Sequence, residues 1–255
     1  MKFTKIAFFI GIGISLTTLN ACSDKDNDNT GVPNNNGNGG GTDCVVKSIS
    51  LNDTLRQSYV YNSSGKLVKV YNIGNDGNPV STIDYVYSGN TVLEVAGAAP
   101  SFDTTVYILG GNGFATKMIS SFGDTTYYEY DSNGYMIKET TSYSILTNTY
   151  VNGNKTQTVS RRRSTGDVDY TVVTEYSSKN HAVLFNDASG LTGKATKNMP
   201  IKETTTYTSP ASVEVTDYTY TSFDSNGNIT KILITVKKDG QVIYALNLGF
   251  AWTCK

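Results

Sequence analysis

Hydrophobic and polar positions alternate along most of the chain after residue 44. The unit is clearest at Thr126–Thr141, TYYEYDSNGYMIKETT. Thr126, Tyr128 and Tyr130 fall on one side of an extended backbone, and Tyr127 and Glu129 on the other. That is the period of two that marks a strand. Asp131-Ser132-Asn133-Gly134 then supplies turn residues, because Asp and Asn bond their own backbone and Gly accepts a positive φ. Met136–Thr141 resumes as a second strand of β-formers without proline. The same unit recurs at Tyr59-Val60-Tyr61, Tyr85-Val86-Tyr87, Tyr150-Val151 and Ser222-Phe223, each followed by a turn and a further strand. Gly65, Gly89, Gly113, Gly134 and Gly153 are spaced by 19–24 residues, one hairpin plus its return turn. No stretch between them carries a helical apolar period. The pattern predicts an all-β fold, a large antiparallel meander of about 15–17 strands.

Ser177–Met199 breaks the rhythm and is expected to form a long loop or short helix over one barrel end. Pro200–Tyr207, Val213–Thr221, Ile229–Lys237 and Val242–Leu248 complete the predicted sheet. In Ile229–Lys237 a strict alternation puts Thr230, Ile232, Ile234 and Val236 on one side, and Lys231, Thr235 and Lys237 on the other with Ile229 and Leu233. Charged residues such as Lys66, Lys69, Lys117, Lys138 and Glu139 interrupt other strands. A membrane-spanning barrel needs an apolar outward face on nearly every strand, so the expectation is a water-soluble sheet.

Cys44 and Cys254 bracket this region almost end to end. In an exported protein they are expected to pair, against the alternative of two separate thiols. A bond requires Cα atoms within about 7 Å. A meander whose first and last strands touch is a closed or nearly closed barrel, which also removes aggregation-prone edges.

The start of the chain gives an address. Lys2 and Lys5 precede an apolar run, Ile6–Leu16, too short to span a bilayer. Residues 1–21 read as a signal peptide. Leu19-Asn20-Ala21-Cys22 resembles the lipobox of bacterial lipoproteins, which implies lipidation of Cys22 as the new N-terminus; the alternative is a plain signal peptide. The acidic run Ser23-Asp24-Lys25-Asp26-Asn27-Asp28 resembles the surface-export signal of Bacteroidota lipoproteins, which implies outer-membrane anchoring facing outward, with a periplasm-facing anchor as the alternative. Residues 22–43 read as a lipidated cysteine and an Asn/Gly-rich tether with a reach of roughly 25 Å, and residues 44–255 as a single β domain. A formal net charge of −1 over 255 residues gives no general drive toward nucleic acid.

Gly193-Lys194-Ala195-Thr196-Lys197-Asn198-Met199-Pro200 resembles the G-K-x-S-K-N-L-P segment of a Bacteroidota surface-lipoprotein family of unknown function. The Y-x-Y-D-x-x-G hairpin at Tyr128–Gly134 fits the same family, with Thr196 and Met199 departing from its usual Ser and Leu. The resemblance spans roughly Cys44 to the C-terminus. It implies a porin-like barrel and no known activity. The hairpins are also similar, more distantly, to YD repeats.

Catalytic signatures are sparse. His181 is the only histidine, and no G-x-S-x-G elbow occurs. One histidine and no spare cysteine pair exclude an ordinary zinc set. Asp131–Gly134 and Asp224–Gly227 look superficially like calcium loops, but Ser142 and Thr235 stand where the bidentate Glu belongs; both read as turns. Arg161-Arg162-Arg163 alternates faces at a strand end. Glu129, Glu139, Glu175, Glu203 and Glu214 could furnish the paired carboxylates of a glycosidase, but spacing alone does not bring any two together. The tyrosines stand out, 18 against one Trp. Four Y-x-Y pairs, Tyr59/Tyr61, Tyr85/Tyr87, Tyr128/Tyr130 and Tyr218/Tyr220, would form ladders on neighbouring strands. Such ladders serve packing, or stack a sugar or peptide if they face solvent. The reading that follows is a non-catalytic surface lipoprotein that needs no cofactor or metal and binds a glycan or an envelope protein. The alternatives are a structural role in the envelope and a carbohydrate hydrolase.

Overall fold

A computed structural model of the chain describes residues 44–180 and 190–254. The signal segment, Cys22, the tether and His181 lie outside the described residues, as does the middle of Ser177–Met199. Sixteen strands follow one another: β1 (Cys44–Leu51), β2 (Thr54–Tyr61), β3 (Leu67–Ile73), β4 (Pro79–Ser88), β5 (Thr91–Ala98), β6 (Ser101–Leu109), β7 (Ala115–Ser120) and β8 (Thr125–Tyr130) form the first half. The second half is β9 (Met136–Thr140), β10 (Ser144–Val151), β11 (Asn154–Arg162), β12 (Val168–Asn180), β13 (Asn198–Thr208), β14 (Ala211–Phe223), β15 (Ile229–Lys238) and β16 (Gln241–Cys254). Each strand pairs antiparallel with its sequence neighbours, and β1 pairs with β16, so the sheet is a closed barrel.

The seam runs from Cys44 opposite Cys254 to Leu51 opposite Leu248, and a disulfide joins the two cysteines at its end. Gly249 faces Ser50 across it so closely that a Cβ would collide with the Ser50 side chain. At its other end Asn52 N–H donates to the Asn247 carbonyl, and Asn247 N–H donates to Asn52 Oδ1.

Directly paired residues share a face of an antiparallel sheet, so the register sorts the wall. The inward row includes Tyr59, Val70, Ile83, Ala96 and Asp103; the outward row includes Val60, Lys69, Asp84, Val95 and Thr104. The outer face is hydroxylated and charged, with apolar side chains interspersed. Lys69–Asp84, Glu129–Lys138, Glu175–Lys202 and Asp217–Lys237 form ion pairs across neighbouring strands, at 2.7–3.1 Å. Inside, one apolar cluster gathers Ile232, Ile234, Val236, Leu246 and Phe250, and a second gathers Val92, Ala115, Tyr128, Met136 and Leu191.

The strict alternation expected for Ile229–Lys237 does not hold throughout. Ile232, Ile234 and Val236 are buried as expected, but Ile229 is buried too and Thr230 is not. Register irregularities opposite Tyr220–Phe223 slip the phase there, as an extra residue in a ladder does.

The two ends of the barrel differ. One end carries Cys44, Cys254 and the turns at residues 62–66, 110–114, 131–135, 152–153 and 224–228. Inward residues close to it are buried: Leu67 1 %, Val92 0 % and Ala115 0 % exposed. At the opposite rim the inward Asp103, Arg162 and Lys238 are exposed. The terminal end is covered by residues 190–199. No helix forms in the described part of the aperiodic segment. Its first residues extend β12 to Asn180, residues 190–197 make an irregular strap, and β13 begins two residues early, at Asn198. The strap lies on the hairpin turns. Ala115 N–H donates to the Leu191 carbonyl, Lys194 N–H to Gly134 and Lys197 N–H to Gly153. Asn198 N–H donates to Asn154 Oδ1, and Asn154 Nδ2 donates back to Asn198 Oδ1. Leu191, Ala195, Thr196 and Met199 are buried.

Gly193 has φ +109, and a Cβ there would stand 2.8 Å from a Tyr130 ring carbon and 3.0 Å from the Gly134 carbonyl oxygen. Two expectations follow from this closure. Gly193→Ala should cost about 2–4 kcal/mol in denaturant unfolding, against about 1 kcal/mol for Gly166→Ala, where φ is also positive but space is open. Removing the disulfide by Cys44→Ser with Cys254→Ser should cost roughly 4–5 kcal/mol, since it closes a loop of 210 residues.

Candidate functional site

All eight tyrosines of the Y-x-Y pairs point into the barrel, each pair near the terminal end of an even-numbered strand. Tyr107 on β6, Tyr150 on β10 and Tyr176 on β12 continue the series, and Trp252 completes it on β16. The result is an aromatic ring just inside the strap, with members drawn from alternate strands. Four of the hydroxyls are spent on backbone carbonyls of the wall. Tyr87 donates to the Leu67 carbonyl at 3.0 Å, Tyr130 to Ala115 at 2.6 Å, Tyr176 to Lys155 at 2.8 Å and Tyr220 to Pro200 at 2.7 Å. Trp252 Nε1 donates to the Ile229 carbonyl. Tyr59 donates to Gln57, whose amide donates to Asn72, whose amide donates to Ser81, a polar ladder across three strands. Burial pushes the phenols of Tyr59, Tyr61, Tyr150, Tyr176 and Tyr220 above the usual tyrosine range. The ladders therefore face the lumen, where packing and lining are one role.

In successive hairpins the last inward residue before the turn faces a small or apolar residue on the next strand. Tyr61 faces Leu67, Tyr87 faces Val92, Leu109 faces Ala115 and Tyr130 faces Met136. Opposite Tyr150 stands Lys155. It is only 5 % exposed. Among the described residues no carboxylate comes within ion-pairing distance, 4.0 Å, of its ammonium. Two inward glutamates, Glu139 on β9 and Glu203 on β13, are near enough to act on it electrostatically. Burial pulls the Lys155 ammonium below the ordinary lysine value, and Glu203 and Glu139 oppose that pull. Burial raises the Glu139 carboxyl, and Lys155 opposes it. Glu203 accepts hydrogen bonds from Tyr218 at 2.7 Å and Thr174 at 3.5 Å. Thr158 donates to Asn148 Oδ1, and Asn148 Nδ2 donates to the Met136 carbonyl. The inner face of β9–β13 is thus a polar arc between the two apolar clusters.

Nearer the open rim, Tyr170 and Tyr207 pack with ring centroids 5.9 Å apart. Burial, then the Glu214 charge, raises the phenols of Tyr207 and Tyr244. Arg162 points inward and pairs with Asp169 at 2.6 Å, beside a shallow hollow of about 500 Å³ lined by Ser142, Tyr143, Ser144 and Ser164. Asp131 Oδ1 accepts from the N–H groups of Asn133 and Tyr135, and Asp224 Oδ1 from those of Asn226 and Asn228. These carboxylates tie their own turns.

No protein-family profile matches the sequence, and no curated protein does. The fold has relatives. A porin-like protein from Bacteroides uniformis ATCC 8492 superposes with a TM-score of 0.59 at 17 % identity, over 78 % of this chain and 90 % of its own. A porin-like protein from Bacteroides vulgatus ATCC 8482 superposes with a TM-score of 0.50 at 11 % identity, over 82 % and 98 %. The chain has a porin-like fold. At these identities the likeness concerns the fold alone.

Glu139 and Glu203 stand among the candidate carboxylates, but the sequence does not bring them together; only comparison of hairpin against hairpin marks Lys155 as out of place. The raised Glu139 carboxyl has a sign that can be tested. The native state holds that proton more tightly than the unfolded chain, so ionisation costs stability as pH rises from the unfolded carboxyl value through the folded one. The melting temperature of wild type relative to Glu139→Gln should therefore fall as pH is raised through that window, and be pH-independent below it.

Proposed function

We propose that this protein is a non-catalytic lipoprotein of the outer membrane that takes an extracellular glycan or envelope protein segment into the open end of its barrel. The observation that supports this best is the asymmetry of the lumen. The terminal end is covered by the strap and an aromatic ring, while the inward residues at the far rim are exposed and polar. Cys44 begins the barrel at the covered end, so a tether from a lipidated Cys22 would join the barrel at the end opposite the open rim. A two-signal lipid anchor holds such a domain stably.

Ion pairs on the outer wall support a barrel that stands in water. A charge at a bilayer midplane costs about 2–4 kcal/mol on a lipid-facing strand, and the outward face carries several on both sides of the barrel. The hydrolase reading retains one observation, the two glutamates flanking Lys155. Release of reducing ends from a polysaccharide, lost in Glu203→Gln, would establish it.

The full chain expressed in a Bacteroides host should fractionate with the outer membrane and be labelled on intact cells. Cys22→Ser should move it to the soluble fraction. On a glycan array and in envelope pull-downs the mature protein should capture a ligand. Absence of any captured component would contradict the binding reading, and membrane retention of the Ser variant would contradict the anchor.

A further inference from the structure

The repeat itself exposes an anomaly. The slot facing the last inward residue before the turn holds Leu67, Val92, Ala115 and Met136 in four hairpins and Lys155 in the fifth. A lysine in such a slot is an expensive replacement. Burying an ammonium costs several kcal/mol unless it is paired and hydrogen-bonded. Here no carboxylate among the described residues lies within ion-pairing distance. The fold does not need the charge, because an apolar side chain does the same work in the other hairpins.

We propose that Lys155, with Glu139 and Glu203, forms a subsite inside the barrel for the vicinal hydroxyl groups of a neutral sugar. This rests on the reading above that the lumen binds a ligand, and it names the ligand class and the site. A hydroxyl accepts from an ammonium and donates to a carboxylate at the same time. A diol therefore bridges the gaps between Lys155 and the glutamates without adding charge. An anion entering the same space meets two carboxylates, and a cation meets the ammonium. Asn148, Thr158 and Thr174 extend the polar arc on the same inner face, and their bonds to Met136, Asn148 and Glu203 fix its shape. The apolar cluster around Met136 and Tyr128 borders that arc and suits the non-polar face of a pyranose ring.

A lysine kept for a ligand leaves a signature that a structural lysine does not. Lys155→Met restores the apolar type seen at Met136, so it should raise the melting temperature by about 2–4 °C while weakening binding at least tenfold. Glu203→Gln should weaken binding without that gain. The test is calorimetric titration of the mature wild-type protein and both variants with maltohexaose, cellohexaose, mannohexaose and xylohexaose. Free glycine, glutamate and lysine serve as charged probes, and melting curves accompany each variant. Binding of a neutral hexasaccharide, lost in Lys155→Met with a raised melting temperature, supports the subsite. A neutral sugar bound equally by wild type and Lys155→Met overturns the subsite and leaves the binding function standing. Binding of the charged probes alone overturns the ligand class. A lowered melting temperature in Lys155→Met makes the lysine structural and overturns the proposal. No binding of any probe by wild type overturns it as well, and if array and pull-down capture also fail, the binding function falls with it.

Discussion

A sheet of sixteen strands has two open edges unless its ends meet, and here the pairing of β1 with β16 decides everything else. Exposed edges present unpaired N–H and C=O groups to any passing strand. The seam satisfies them along its length, from Cys44 beside Cys254 to the bonds between Asn52 and Asn247. Because the wall curves back on itself, one face of each strand is inside and the other outside. The tyrosines that precede successive turns are thereby brought into a single ring, and side chains far apart in the chain share one lumen.

Closure makes a tube, and the strap makes the tube asymmetric. Residues 190–197 have no strand period, yet backbone groups of Leu191, Lys194 and Lys197 are bonded to the hairpins they cross, at Ala115, Gly134 and Gly153. A buried irregular segment is stable only if its polar groups find such partners. The absence of a Cβ at Gly193, with its positive φ, lets the strap approach the Tyr130 ring and the Gly134 carbonyl. The segment G-K-A-T-K-N-M-P is thus an architectural element. Each recognisable part is used in closing one end: the glycine by contact, Asn198 by its paired bonds to Asn154, Met199 and Pro200 by burial.

Much of this was legible from residue order because the relevant forces are local. Period-two alternation and turns such as Asn152-Gly153, both at positive φ, specify a hairpin without knowledge of its neighbours. The near end-to-end placement of Cys44 and Cys254 pointed to a closed sheet for a different reason: a bond between them brings the first and last strands together. What pairing creates was not legible. The phase slip that buries Ile229 comes from bulges opposite Tyr220–Phe223, which no alternation in β15 announces. Tyr107, Tyr150 and Tyr176 do not stand in Y-x-Y pairs, so their membership of the ring appears only when the register is known. Lys155, Glu139 and Glu203 are separated by turns and strands, and their approach is a property of the curved wall. Even their faces depend on register irregularities, such as the one between Thr149 and Tyr150.

Ligand entry as proposed requires a lumen reached from one end only. Cysteines introduced one at a time into the mature protein, with the native disulfide left intact, measure this directly through their rate of reaction with a bulky hydrophilic maleimide. Ser212→Cys, inward near the open rim, should react nearly as fast as an outward control at Thr219→Cys, while Ala115→Cys, packed into the apolar cluster against Leu191, should be slower by orders of magnitude. Equal rates at Ser212→Cys and Ala115→Cys, or protection at both, would contradict a barrel sealed at its terminal end and open at the other.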